Sequence, residues 1–437
     1  MSTLGVWGVA ALLLTTSGAF GADDPATATQ RQLELLQEQN AKLDALVRQQ
    51  QAVIDSLNQR VGNIEQAAIN RGDAGATPGE PAGGLGTNPS GGFQFGKVNL
   101  SGEGGVGFFY SQPDGAYPNG EFRVDEAKLF IEAPVWKEVY FFTELDLAAR
   151  NYGDLGLHLG ELYLDFENVS QLWGHDRMLN VRVGRMDIPF GEEYIRRDVI
   201  DDPLISRSLS DLWGIDEGLE LYGGMGKFNY VAAVQNGGVS GTRDYNSDKS
   251  VAGRLSYDPT RWLHLSASGM RTGNLDATDD YWSELWFGNA WLGNIGSSNT
   301  TTFRANLAEG DIVINLPRGY LRAFGGYLHY TDNDPDANNS RDVYYYCIEP
   351  YYSITKKFYA AARFSQVFAP KGFTVVGNGT EYAPVTDMLW QLSLGLGYRF
   401  SERLVIKAEY TFTRGHELDG TQRDNEDFFG AQAAFKF

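Results

Sequence analysis

The last fifty residues alternate between apolar and polar side chains with a period of two. The apolar series Leu404, Ile406, Ala408, Tyr410 and Phe412 is interleaved with Val405, Lys407, Glu409, Thr411 and Thr413. The same alternation runs through 391–400 and 429–437. A period of two over about ten residues predicts a strand with one apolar and one wet face. Strands of this length favour a bilayer-spanning barrel over a soluble sandwich, whose strands are usually nearer five or six residues.

Strand patterning recurs through the rest of the chain after residue 92. The candidate strands lie near 97–110, 122–133, 139–149, 158–167, 179–187, 217–225, 228–236, 249–257, 263–272, 302–314, 319–331, 343–354, 358–367, 388–400, 404–414 and 427–437. Their connections alternate between short and long, as in single-chain outer-membrane barrels, although residues 168–178 form a longer turn than this rule predicts. An open edge would leave backbone groups unsatisfied in hydrocarbon, so the sheet must close. We therefore predict an all-β transmembrane barrel of about sixteen antiparallel strands, a size that holds water rather than a packed core.

Charge and motif content exclude several classes of protein. With 36 Lys and Arg against 56 Asp and Glu, the net charge is −20, which argues against nucleic acid as a partner. The single Cys347 excludes an intrachain disulfide, and the five His lack the spacing of zinc ligands. The acidic stretch 332–339 has Ala337 where a calcium loop needs Gly. No nucleophile motif of the Gly-x-Ser-x-Gly kind occurs, so we expect no enzyme activity, metal or cofactor.

The N-terminal part of the chain has a different character. The apolar run at 4–14 and the small residues after it predict a signal peptide at 1–22, with a buried N-terminal helix as the alternative. Residues 23–70 predict a periplasmic coiled coil, because heptad positions a and d are mostly apolar between Leu33 and Ile64. A single amphipathic helix on another surface is the alternative; the oligomer number cannot be read from the heptads. Residues 71–92 are rich in Gly and Pro and predict a flexible linker to the barrel at 93–437.

If the apolar positions face lipid, the opposite parity faces the lumen. The early strands then contribute mainly acidic groups and the later strands basic ones, which would set a transverse field across the pore. The alternative is that these charges are solvated and have no tuned role. The predicted pore-lining residues are Lys128, Glu144, Asp146, Asp165, Arg363, Arg399 and Lys407.

The connection at 188–216 is the candidate pore constriction. Loops of this length without a function are uncommon, and its charges are of both signs. Folded into the lumen, it would place these charges at the narrowest point. The alternative is an external loop that contacts a neighbouring subunit. The predicted constriction residues are Glu192, Glu193, Arg196, Arg197, Asp201, Asp202 and Arg207.

Two segments around this loop carry a family resemblance. The sequence VGRMDIPFGEEY at 183–194, followed by DPLISRSLSDLWG at 202–214, resembles the phosphate-selective porin O and P family. The resemblance spans 93–437 and implies a trimeric, sixteen-stranded, water-filled outer-membrane channel with its third extracellular loop folded inward. The substrate does not transfer, because the long loops have no Lys cluster for a dianion. Arg196, Arg197 and Arg207 are the positions at which an anion preference would be tested.

The sequence thus favours a passive channel for small hydrophilic solutes or ions. We expect a homotrimer in outer-membrane lipid, with the N-terminal stalk in the periplasm. The alternative function is a structural tether, in which the coiled coil links the barrel to the cell wall and peptidoglycan is a candidate partner.

Overall fold

In the computed structural model, one closed antiparallel sheet dominates the described residues, which are 93–95, 97–148, 155–237, 244, 246–280, 288–377 and 384–437. Its sixteen long strands are β1 (Val98–Ser111), β2 (Glu121–Trp136), β3 (Val139–Ala148), β4 (Leu155–Phe166), β5 (Asn180–Asp187), β6 (Ile215–Met225), β7 (Phe228–Gln235), β8 (Ser250–Thr260), β9 (Leu263–Arg271), β10 (Thr302–Leu316), β11 (Gly319–Asp332), β12 (Arg341–Ser353), β13 (Phe358–Thr374), β14 (Val385–Ser401), β15 (Leu404–Glu417) and β16 (Phe428–Lys436). Shorter elements are the strands Phe93–Phe95, Leu275–Asp276 and Gln422–Arg423, the 3-10 helices Val169–Trp173 and Tyr194–Arg196, and the helix α1 (Gly288–Asn294).

The barrel closes where the last strand meets the first. Strand β16 pairs antiparallel with β1, from Phe428 opposite Ser111 to Lys436 opposite Glu103. On the outer face of this seam, Gly104 lies beneath the ring of Phe435, and a Cβ at this position would lie 2.9 Å from that ring. Closure leaves no strand edge in the barrel wall, which hydrocarbon surroundings require.

These strands confirm the predicted fold class, and every predicted strand is present with ends that shift by a few residues. The largest shift is in β13, which continues to Thr374. The signal peptide, coiled coil and linker predicted at 1–22, 23–70 and 71–92 lie outside the described residues and stay predictions. Among the described residues, no helix combines the length and apolar character needed to cross a membrane.

Apolar side chains lie mainly on the outside of the cylinder. On β15, Ile406 is 48% exposed, whereas its neighbour Lys407 is 2% exposed and points inward. Leu394, Leu396 and Phe412 are exposed in the same way. This arrangement inverts that of a soluble protein and fits a wall surrounded by hydrocarbon.

The long connection at 168–178 is a compact turn rather than an open loop. The side-chain amide oxygen of Asn168 accepts a hydrogen bond from the Arg177 backbone N–H at 2.7 Å. Ser170 Oγ accepts from the Met178 N–H at 2.9 Å. These side chains satisfy the backbone of the extra residues, which explains how a longer segment serves as a turn at the rim that bears the short connections.

The interior at the opposite rim, which bears the long loops, is packed with apolar side chains. Trp291 of α1 is fully buried, and its ring stacks on Phe303 at 5.6 Å and on Tyr330 at 5.3 Å. On β10, Phe303, Ala305 and Leu307 point inward, whereas Arg304 and Asn306 are exposed outside. Two expectations are therefore wrong at this rim: that apolar positions face lipid, and that the interior holds water rather than a core. The reason is that a long loop returns into the barrel, and its apolar side chains need apolar partners on the strands.

Candidate functional site

Residues 188–214, here called the inner loop, connect β5 to β6 and lie inside the barrel. The loop starts with Ile188 and Phe190, which join the buried apolar cluster at the long-loop rim. Gly191 follows with a φ of +69°, a conformation that glycine adopts without strain. Its backbone N–H donates to Ser268 Oγ on β9 at 3.1 Å. The apolar pair and the glycine together turn the chain inward.

Asp202 is the central anchor of the inner loop. Its carboxylate accepts from Arg363 Nη2 of β13 at 3.0 Å and from Arg207 Nη1 at 2.6 Å. It also accepts from the Leu204 backbone N–H at 2.9 Å. Burial raises the pKa of Asp202, but the guanidinium groups of Arg363 and Arg207 outweigh burial and hold the pKa below its usual range. Asp202 is therefore a charged attachment point at neutral pH.

Two charged side chains of β15 bind the backbone of the loop. Lys407 Nζ donates to the carbonyl oxygens of Asp202 at 2.9 Å and Leu204 at 2.7 Å. The Glu409 carboxylate accepts from the N–H groups of Ile205 and Ser206, the latter at 3.0 Å. A cation holds the carbonyls and an anion holds the N–H groups, so each end of the peptide dipoles meets the opposite charge.

A second ion-pair cluster lies beneath the loop. Glu349 of β12 accepts from Arg322 at 3.1 Å, from Arg363 Nε at 2.7 Å and from the Tyr320 hydroxyl at 2.9 Å. Arg322, Glu349 and Arg363 are no more than 2% exposed. Arg399 donates to the Ile200 carbonyl at 3.2 Å, nearer the rim that bears the short connections. The inward side of β8–β15, here called the loop-bearing wall, thus uses its charges to hold the loop.

The other predicted loop residues divide between anchors and lumen-facing groups. Glu192 contacts His264 Nε2 at 2.7 Å, and Glu193 accepts from the Ser208 N–H at 3.0 Å. Arg197 pairs with Asp211 and lies over the Trp213 ring at 4.6 Å.

The three remaining predicted constriction residues have different surroundings. Arg207 also reaches across to Glu126 of β2 at 3.2 Å. Asp201 is exposed and lies 3.7 Å from Lys436 Nζ. Arg196 is half-buried over the Tyr320 ring at 5.3 Å.

The inward side of β1–β6, here called the acidic wall, has a different arrangement. Lys128 Nζ pairs with Glu144 Oε1 at 3.0 Å. Glu103 and Asp146 lie directly opposite Lys128 on the neighbouring strands. Both are nearly buried, and within the described residues Glu103 Oε1 and Asp146 Oδ1 have no hydrogen-bond partner. The single lysine is therefore surrounded by more carboxylates than it can neutralise.

Asp165 belongs to a separate group on the acidic wall. Arg182 of β5 donates to Asp165 at 2.9 Å and to Glu220 at 3.2 Å, so one cation serves two carboxylates. The guanidinium lies between the rings of Tyr163 and Tyr222, 5.0 and 4.5 Å from their centroids. The Tyr222 hydroxyl donates to the same Asp165 carboxylate at 2.8 Å. This group is well satisfied but still carries net negative charge.

The structure brings together Asp202, Arg207, Arg363 and Lys407 on one side, and Lys128, Glu144 and Asp146 on the other. Sequence reasoning missed Arg322 and Glu349 as site residues, and Glu409 as a loop anchor. The period of two places all three on the inward parity, so a signal was present; their partners, however, depend on the path of the loop. Among the described residues, no group of His, Cys, Asp and Glu is placed to bind a metal ion.

Comparisons with known sequences do not assign the chain to a family. No protein-family model matches the chain, and no curated protein sequence matches it. The resemblance to the phosphate-selective porin O and P family therefore stays a prediction.

Solved structures do resemble the barrel, at low sequence identity. OmpT, an outer membrane protein of Vibrio cholerae, is 10% identical with a TM-score of 0.54, covering 80% of this chain and 100% of that one. The outer membrane channel DcaP of Acinetobacter baumannii is 14% identical with a TM-score of 0.53, covering 79% and 99%. An anion-selective porin from Comamonas acidovorans is 11% identical with a TM-score of 0.53, covering 78% and 98%. These likenesses show that the chain has the closed barrel fold of outer-membrane proteins.

Proposed function

We propose that this chain is an outer-membrane porin that lets small hydrophilic solutes or ions diffuse passively across the bilayer. The observation that carries the proposal is the inner loop, which is fixed inside a closed cylinder by buried charges of the loop-bearing wall and faces an acidic wall. A loop held in the lumen narrows the passage and sets which solutes fit. The similar structures include DcaP, an outer membrane channel, and an anion-selective porin of Comamonas acidovorans, which supports the same function.

Single-channel recording tests the proposal directly. Purified protein added to a planar lipid bilayer should produce stepwise, long-lived increases in ion current. The variant Asp202→Ala, which removes the central anchor of the loop, should give a larger or more variable unit conductance than the wild type. Asp419→Ala changes an exposed residue outside the inner loop and should leave the unit conductance unchanged. The absence of current from folded protein at any voltage would reject the proposal.

Assembly is a further part of the proposal. We propose a homotrimer embedded in outer-membrane lipid, with residues 23–70 forming a stalk in the periplasm. The similar OmpT of Vibrio cholerae has a trimer form, which supports this stoichiometry. Sedimentation of the full chain in detergent should give the mass of three copies. Loss of that mass on deletion of 23–70 would assign the contact to the stalk, and retention would assign it to the barrel.

The tether hypothesis rests on the same segment, which lies outside the described residues, and it stays a prediction. Deleting 23–70 separates the two functions. Intact conductance with a weakened cell envelope would support a tether, with peptidoglycan as its candidate partner.

A further inference from the structure

The interior charges of this barrel are not balanced across the lumen. On the loop-bearing wall, Arg363 is paired with Glu349 and Asp202, and Lys407 binds loop carbonyl oxygens. Arg399 and Arg254 also donate to loop carbonyls, those of Ile200 and Gly191. These cations are covered by the inner loop or bound to it. Their field is therefore largely neutralised by groups in contact with them.

The acidic wall has no comparable neutralisation. The cations on its strands include Lys128, Arg182 and Arg185, and each already pairs with at least one carboxylate. The carboxylates of this wall that lie on the inward parity are Glu103, Glu126, Glu144, Asp146, Glu161, Asp165 and Glu220. Carboxylates thus clearly outnumber cations along this side of the interior.

Two of these carboxylates point to a mobile counter-ion. Glu103 is 5% exposed and Asp146 is 6% exposed. Glu103 Oε1 and Asp146 Oδ1 have no hydrogen-bond partner among the described residues. A nearly buried carboxylate oxygen without a hydrogen-bond partner is costly unless water or a cation approaches it. Because both flank Lys128 on adjacent strands, they mark one station on the wall rather than two isolated defects.

The inner loop adds little positive charge to this side. Arg197 is paired with Asp211, and Arg207 with Asp202 and Glu126. Arg196, the third loop arginine, lies over the Tyr320 ring of the loop-bearing wall. Asp201 from the same loop is exposed and lies 3.7 Å from Lys436 Nζ. The negative charge between the loop and the acidic wall therefore comes mainly from the carboxylates of that wall.

From this arrangement we infer that the channel prefers small hydrated cations over anions, with the station of Glu103, Glu144 and Asp146 on the acidic wall as its selectivity-determining site. The inference rests on the proposed channel function and names its substrate class. A cleft lined by one sign of charge raises the local counter-ion concentration by about tenfold or more. Rings of carboxylates act in the same way in cation channels. Inorganic phosphate, a dianion, would be disfavoured.

Reversal potentials in a tenfold KCl gradient across a planar bilayer test the inference. We expect K⁺ to permeate about tenfold more readily than Cl⁻ at low salt. The preference should weaken when both solutions approach 1 M, because the Debye length then falls to about 3 Å. The double variant Glu103→Gln/Asp146→Asn should lower the permeability ratio by about threefold, and Arg196→Gln should raise it by a similar factor.

A matched control removes the same charge elsewhere. Asp336→Asn/Asp419→Asn changes two exposed loop residues and should leave the ratio unchanged. The unit current of each variant shows that its barrel is folded. A wild-type channel that passes Cl⁻ at least as well as K⁺, or a double variant with an unchanged ratio, would overturn the inference while leaving the channel function intact. No current from the wild type would reject the channel function and the inference with it.

Discussion

The two walls of the interior carry the same kinds of side chain at inward positions and use them differently. On the loop-bearing wall, Arg363, Glu349 and Glu409 are no more than 2% exposed, and each is hydrogen-bonded to the loop or to a loop anchor. Buried atoms of Asp311 and Arg322 on this wall lack a partner among the described residues, but neither side chain holds the loop. On the acidic wall, Glu103 and Asp146 keep unpartnered oxygens. The comparison teaches that the strand pattern fixes which way a charge points. The segment that packs against the charge then decides whether it anchors a loop or acts on the lumen.

Energetics explains why the two roles separate. A buried ion pair stabilises little compared with apolar packing, but removing one partner leaves an uncompensated charge and costs several kcal/mol. The loop-bearing wall should therefore be sensitive to single substitutions. Removing a carboxylate that has an unpartnered oxygen should lower the free energy of unfolding less, because the folded protein already includes the cost of desolvating that oxygen.

Asp202→Ala should have the largest effect. The change leaves Arg363 and Arg207 without their shared carboxylate, and we expect the free energy of unfolding to fall by about 3–5 kcal/mol. Urea unfolding in detergent micelles measures the loss. Asp201→Ala, the exposed neighbour on the same loop, should change stability by less than about 0.5 kcal/mol. Equal losses from the two variants would show that the loop is not held by its buried charges.

The apolar part of the interior gives the next largest effect. Trp291→Ala should lower the free energy of unfolding by about 3 kcal/mol, because the ring is fully buried between Phe303 and Tyr330. Trp173, which is 55% exposed, supplies the control. Trp173→Ala should cost less than about 0.5 kcal/mol in the same denaturation assay. A tolerated loss of Trp291 would mean that this rim is wet, as the alternation alone predicts.

Sequence alone predicted the barrel well. The period of two is a local property of each strand, and a closed barrel requires it in every strand. It failed at the long-loop rim, where Phe303 and Leu307 turn inward into the same apolar cluster as Trp291, a residue of the connection that precedes β10 and folds back into the barrel. At the site, parity placed Lys407 and Glu409 inside. The atoms that they bind depend on the three-dimensional path of the inner loop. That path cannot be predicted from the spacing of residues in the strands.

A matched pair of charge-neutralising variants sharpens the comparison between the walls. Glu409→Gln replaces the acceptor of the Ile205 and Ser206 N–H groups, and we expect it to lower the free energy of unfolding by about 1–3 kcal/mol. Asp146→Asn removes a carboxylate with an unpartnered oxygen from an acidic neighbourhood. We expect it to be neutral or to stabilise by up to about 1 kcal/mol. If Asp146→Asn lowered the free energy of unfolding more than Glu409→Gln, the acidic wall would have a structural role and the two walls would not differ as described.

The smallest expected effect concerns pH: the stabilisation that Asp202 contributes should not change over a wide pH range. Because Arg363 and Arg207 hold the pKa of Asp202 below its usual range, its carboxylate stabilises the fold at every pH above the unfolded value of about 3.9. That stabilisation is lost only as the pH falls below this value and through the folded pKa. The difference in unfolding free energy between wild type and Asp202→Asn should therefore stay constant from pH 7 to about pH 4 and shrink only in stronger acid. A difference that already shrinks between pH 7 and pH 5 would mean that Asp202 is not paired as the structure shows.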